Sequence, residues 1–345
     1  MNSFQMQGEG RGKGKFSLVT VQNVYTDLPE NQDYEHQIAD GIWIFKSVPV
    51  NIDTYWKKWI GTIRLETLEK SNLVILCSES SPAPQVLDKP QQRLNEKVSR
   101  IFYLLRLSGV IEYERANLLS GFFSEDRSEV RHMSEFPTFY NTKEYNRIPV
   151  NIERLEKAVR LESALEKISS TQVDFRRFIQ GLKVLWEGFK QQLGEERIHQ
   201  FVRALEAIIL PRIGHTKQDF VHRCQTFVKA NPGTRKLLEE GFNLRSMAEH
   251  LNNWEQTLES YPQDGREIIA LHRTHQMENI ASFAYSRLLE TESIQKHFIN
   301  EDQLESFWKL RDDVRKNIWG TQLDLIMRNT VREFDSWGRE MLDSF

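Results

Sequence analysis

The chain has 345 residues, 39% hydrophobic and 28% charged, with a formal net charge of −3. The length exceeds what one small core uses and predicts about two domains, and the composition is that of a globular protein. A net negative charge excludes a protein that coats nucleic acid over its whole surface, which needs an excess of Lys and Arg, so any such contact is confined to a local cleft.

Residues 1–15 are Gly-rich with Arg11, Lys13 and Lys15, and read as a flexible basic tail. No strand precedes these glycines, so neither a Walker loop nor a dinucleotide-binding loop fits. The stretch also lacks the apolar centre of a secretory signal. No apolar run approaches the roughly 20 residues of a membrane span. With only Cys77 and Cys224, far apart, neither a zinc cluster nor an export disulfide is expected. The expectation is a cytoplasmic protein with reduced thiols, no cofactor and no metal.

Residues 16–26 and 42–50 are rich in β-branched and aromatic side chains and predict strands. Residues 52–69 (IDTYWKKWIGTIRLETLE) have helical spacing with Trp56, Trp59 and Ile63 on one side. A short apolar run at 72–77 predicts a buried strand, and SSPAP at 80–84 a loop. A helix follows at about 91–108, then a hairpin over 116–140 with a polar turn at 124–128. From about residue 150 strand signals disappear, and residues 151–168 and 172–194 predict amphipathic helices. Further helices are predicted at 194–210, 217–230, 234–255 and 265–292, with one or two more over 301–341. The fold class is thus α+β: a mixed α/β N-terminal domain (16–185) followed by an all-α helical bundle (186–345), with the boundary falling in the window 145–185.

One chemical pattern stands out, an arginine followed five to seven residues later by histidine. With 27 Arg and nine His, chance alone supplies about two such matches. Three occur: Arg127–His132, Arg245–His250 and Arg266–His272. In a strand, an odd separation sends Arg127 and His132 to opposite faces. Arg266 is followed by Glu267, which competes with phosphate for the guanidinium. Arg245–His250 lies in an apolar-enough stretch, KLLEEGFNLRSMAEHL, to be packed. There Ser246 and His250 are four apart and share a helix face, while Arg245 is about 140° away, within reach of its long side chain.

The segment Arg245-Ser246-Met247-Ala248-Glu249-His250 resembles the R-polar-x3-H motif of the HEPN superfamily. Its surroundings resemble the ApeA-like branch: a helical phrase at Arg203–Ile209, a polar linker at 214–224 and Leu244–His250 follow in the same order over about 195–290. Ser246 stands where active members usually carry Asn, Asp or His. The resemblance implies a metal-independent endoribonuclease, usually a homodimer that brings two motifs into one cleft. It assigns Arg245, His250 and Ser246 to catalysis on an RNA substrate, in an antiviral defence or toxin setting. The residue types suit this chemistry. Histidine titrates near neutrality and accepts a 2′-OH proton; a guanidinium holds two oxygens of a phosphorane.

Two other functions fit the same sequence: a non-catalytic HEPN adaptor that binds RNA or dimerises, and a helical interaction protein with a chance motif. Glu206 sits among apolar residues, where a carboxylate needs a partner; Arg245 and Arg203 are the candidates. His199 reads as a packed edge, and Glu249 as a solvated carboxylate or a partner for the histidine. Lys217, His222 and Arg223 form a local basic group, and Trp308, Trp319 and Trp337 read as core or dimer interface.

Overall fold

The computed structural model describes residues 13–50, 52–85, 88–124, 128–140, 148–170, 175–230 and 232–325. It is an α+β protein of two compact units, Met1–Phe139 with Arg147–Glu162, and Tyr140–Asn146 with Ser163–Phe345.

The first unit contains, in order, β1 (Gly14–Gln22), β2 (Glu35–Ala39), β3 (Ile42–Phe45), α1 (Thr54–Ile60), α2 (Thr62–Glu69), β4 (Ser71–Ser80), α3 (Lys89–Leu107), β5 (Arg115–Phe123) and β6 (Ser128–Phe136). The strands form one antiparallel sheet in the order β2-β3-β4-β1-β5-β6. All nine residues of β1 are buried because it is central and both sheet faces are covered. On one face Phe16, Leu18, Val74, Leu76 and Leu119 pack with Ile60 and Leu68 from α1 and α2. On the other face lies α3, whose Gln91 Nε2 donates to Ser17 Oγ at 2.8 Å.

Three sequence expectations change here. The strand begins at Gly14, so Lys15 belongs to the sheet and not to a tail. Lys15 is fully buried, donates to Gln85 O at 2.5 Å and pairs with Asp88, which also caps α3. The single helix expected over 52–69 breaks at Gly61, whose φ of +84° ends α1. The strand predicted to reach residue 50 stops at Phe45, while β2, a polar edge strand with exposed residues, carried no alternation to announce it. The predicted hairpin is present as β5 and β6, with residues 125–127 outside the described residues.

The helices that follow are α4 (Ile152–Ser170), α5 (Arg176–Lys190), α6 (Gly194–Ile209), α7 (Thr216–Cys224), α8 (Pro232–Glu249), α9 (Arg266–Glu290), α10 (Glu292–Gln295), α11 (Glu301–Lys309) and α12 (Asp312–Trp319). The chain divides within α4, and α5 onward belongs to the second unit. In that unit α6 packs against α5, α8 and α9. Its Ile198, Phe201, Val202, Leu205 and Ile208 are all buried. Glycine permits the close approach: a Cβ on Gly181 of α5 would lie 2.6 Å from Ala207 Cβ and 1.9 Å from Tyr285 Oη. Trp308 and Trp319 are core, and Trp308 Nε1 donates to Ile208 O at 3.1 Å. Trp337 lies outside the described residues. Cys77 and Cys224 are both free and buried, and burial pushes the Cys77 thiol up to about 12. Among the described residues no helix is long and apolar enough to cross a membrane.

Candidate functional site

The site grows from two helices. On α6, His199, Arg203 and Glu206 follow at steps of four and three and share one side. On α8, Phe242, Arg245, Ser246 and Glu249 do the same. Because α6 and α8 pack together, Glu206 and Arg245 meet: Arg245 Nη2 donates to Glu206 Oε2 at 3.0 Å, with each side chain 14% exposed. The other terminal nitrogen, Nη1, pairs with Glu249 one turn along the same helix. The guanidinium carbon sits 5.7 Å over the Phe242 ring. Of the two partners foreseen for Glu206, the geometry selects Arg245. Glu249, read as a solvated carboxylate or a histidine partner, is the second ligand of Arg245.

Three buried polar atoms of this cluster have no hydrogen-bond partner: Arg245 Nε, Glu206 Oε1 and His199 Nδ1. Such atoms occur elsewhere among the described residues too, for example at Asn117, Arg197 and Thr257. Burial pushes the Glu206 carboxyl above its ordinary value, with Glu249 acting the same way and Arg245 opposing. Burial, then the charges of Arg245 and Arg203, hold His199 below 6.5, while Glu249 and Glu196 oppose. His199 is therefore a neutral imidazole near pH 7, able to accept a proton.

His250 lies at the C-cap of α8. Its amide donates to Ser246 O at 3.2 Å, the last α-helical bond, which stacks it one turn beyond Ser246 as the spacing predicted. The chain then turns: Leu251 takes a φ of +55°, its amide bonds Ala248 O at 3.2 Å, and Asn252 N bonds Met247 O at 2.9 Å. That pair of bonds is a Schellman ending. His250 is exposed, and its side chain forms no hydrogen bond or ion pair among the described residues. Ser246 is half-buried.

The other two Arg–His pairs separate from any site. His132 is exposed on β6, and Arg127 lies outside the described residues. Arg266 Nε donates to Tyr261 O at 3.2 Å, fixing the start of α9, and His272 is buried, its imidazole held down to about 4 first by burial and then by Arg273. Of the basic group at 217–223, Lys217 is exposed, while His222 and Arg223 have partners. His222 Nε2 lies 3.1 Å from Asp312, and Arg223 donates to Ile209 O at 2.7 Å while lying 5.4 Å over the Trp308 ring.

His199 is half-buried on α6, as a packed-edge position would be. Among the described residues, no three His, Cys, Asp or Glu side chains converge on a metal-sized site. No protein-family model matches the chain, and neither a curated protein nor a solved structure does.

Proposed function

We propose that the helical unit is a HEPN-type endoribonuclease that cleaves RNA without a metal, as a homodimer. Arg245 binds the scissile phosphate, His250 moves the proton and Ser246 donates to a phosphate oxygen. The observation that supports this reading is the cluster at α6 and α8, where Arg245 is held by Glu206 with His199, Arg203 and Glu249 nearby. The reaction is attack of a ribose 2′-oxygen on the adjacent phosphorus. A histidine accepts the 2′-OH proton, the P–O5′ bond breaks, the 5′-oxygen takes a proton, and a 2′,3′-cyclic phosphate remains. Glu206 and Glu249 differ in this scheme. Glu206 is half-buried and stays on Arg245, whereas Glu249 is 40% exposed and is the carboxylate a phosphate would displace. A defence or toxin role follows from the HEPN resemblance alone.

One observation favours a second reading. Both terminal nitrogens of Arg245 are engaged within its own chain, the arrangement of a structural ion pair, and this suits a non-catalytic adaptor that binds RNA or dimerises. Cleavage by the purified chain in EDTA separates the two. The nuclease reading expects cleavage that falls by at least about 100-fold in both Arg245→Ala and His250→Ala. Binding without cleavage, or cleavage indifferent to both substitutions, overturns it.

A further inference from the structure

In the first unit, α1 and α2 turn aromatic rings outward. Tyr55 is 69% exposed, Trp59 51% and Ile63 71%, although the spacing of this segment had placed Trp59 and Ile63 on one amphipathic side. The break at Gly61 explains this: the core takes Ile60 from α1 and Leu68 from α2, and the opposite sides face water. The rings meet edge to face. Tyr55 and Trp56 are 5.1 Å apart at 88°, Trp56 and Trp59 5.5 Å apart at 87°. Rings so arranged are not stacked face to face on one another, and Tyr55 and Trp59 remain largely exposed.

Cations lie along the same two helices, Lys58 on the side of α1 that carries Tyr55 and Trp59. Lys57, Lys58 and Arg64 are exposed, and their side chains form no ion pair or hydrogen bond among the described residues. Of the acids on the same two helices and their cap, Asp53 is occupied in capping α1, accepting from Trp56 N at 3.0 Å, and Glu66 and Glu69 lie further along α2. A lone apolar patch would suit any greasy partner. Exposed rings beside unpaired cations, in a chain of net charge −3, suit a flexible polyanion whose planar groups can stack.

We propose that the α1–α2 face binds single-stranded nucleic acid, with bases stacked on Tyr55 and Trp59 and phosphates met by Lys57, Lys58 and Arg64. This proposal is independent of the cleavage reading, because binding is measured on a strand that cannot be cut. The probe is a fluorescein-labelled 2′-O-methyl oligouridine of about 12 nucleotides, titrated with the full chain and followed by anisotropy; sites of this kind span ~4–16 nucleotides. Y55L/W59L weakens binding by about tenfold or more, since stacking is worth ~1–3 kcal/mol per base, while Y55F/W59F, which keeps the rings, retains most of it. K57Q/K58Q lowers the slope of log affinity against log salt by about one or more. Circular dichroism of each variant matches the parent.

A parent chain that does not bind the strand overturns the proposal, as does full binding by Y55L/W59L. Leucine-tolerant self-association through this face would identify a second copy as the occupant instead. Adsorption to phosphatidylglycerol vesicles without strand binding would identify a lipid surface.

Discussion

Arg245 illustrates how a charge is placed by its neighbours. A guanidinium 14% exposed loses much of its hydration and needs carboxylates in return. Glu206 and Glu249 supply them unequally. Glu206→Ala should lower stability by about 2 kcal/mol, because it leaves half-buried donors unpaired. Glu249→Ala, at an exposed i,i+4 pair, should cost less than about 1 kcal/mol. Urea midpoints at unchanged m-value measure both, and equal losses would contradict the assignment of Glu206 as the fixed partner. His272 gives a second, pH-dependent test. Its folded value near 4 lies below the ordinary 6.5, so between those values the unfolded chain binds a proton that the folded one does not. Its contribution to stability is present above pH 6.5 and lost as pH falls toward 4, with a slope of at most about 1.4 kcal/mol per pH unit. His199 and His297 shift the same way, so His272→Gln should reduce that slope without abolishing it. An unchanged slope would show that His272 is not held neutral. At this scale the sequence was partly legible. Glu206 announced its need of a partner by sitting among Ala204, Leu205 and Ile208, while the two-carboxylate grip on Arg245 depends on the α6–α8 packing, which no local pattern encodes.

Elements were legible where periodicity was long and continuous. The helices α5, α6 and α9 follow their apolar spacing closely, because a 3.6-residue period over several turns has few competing explanations. Where a single backbone torsion decides, the pattern failed. TYWKKWIGTIRLETLE keeps helical spacing straight through Gly61, yet its positive φ splits the segment in two. The helix predicted over 234–255 ends at Glu249 because Leu251 adopts the left-handed conformation. A leucine there costs about 1–2 kcal/mol relative to glycine, beside the histidine of the proposed site. Leu251 is 93% exposed, so little packing is lost on its removal. Leu251→Gly should therefore raise stability by about 1 kcal/mol, read as a higher urea midpoint. A loss of stability would mean that the leucine side chain has a contact holding His250.

For the whole molecule, length predicts about two domains, and strand signals disappear from about residue 150. The structure divides the chain at Glu162 and Ser163, and the six-stranded sheet belongs entirely to the first unit. Charge works locally in both. The first unit groups unpaired cations with exposed rings on α1 and α2, and the second concentrates Arg203, Arg245, His199 and two glutamates at α6 and α8. Strand order and the pairing of α6 with α8 were not legible, because both are set by contacts between residues far apart in sequence. The proposed nuclease joins an arginine and a histidine to a phosphodiester and uses the RNA's own 2′-oxygen as nucleophile. The most direct test incubates the purified chain in EDTA with two strands of one sequence, one RNA and one fully 2′-O-methylated, and analyses the ends produced. The account predicts that only the RNA is cut, leaving 2′,3′-cyclic phosphate ends, and that Arg245→Ala abolishes the cut; cleavage of the methylated strand, or an intact RNA under all conditions, would contradict it.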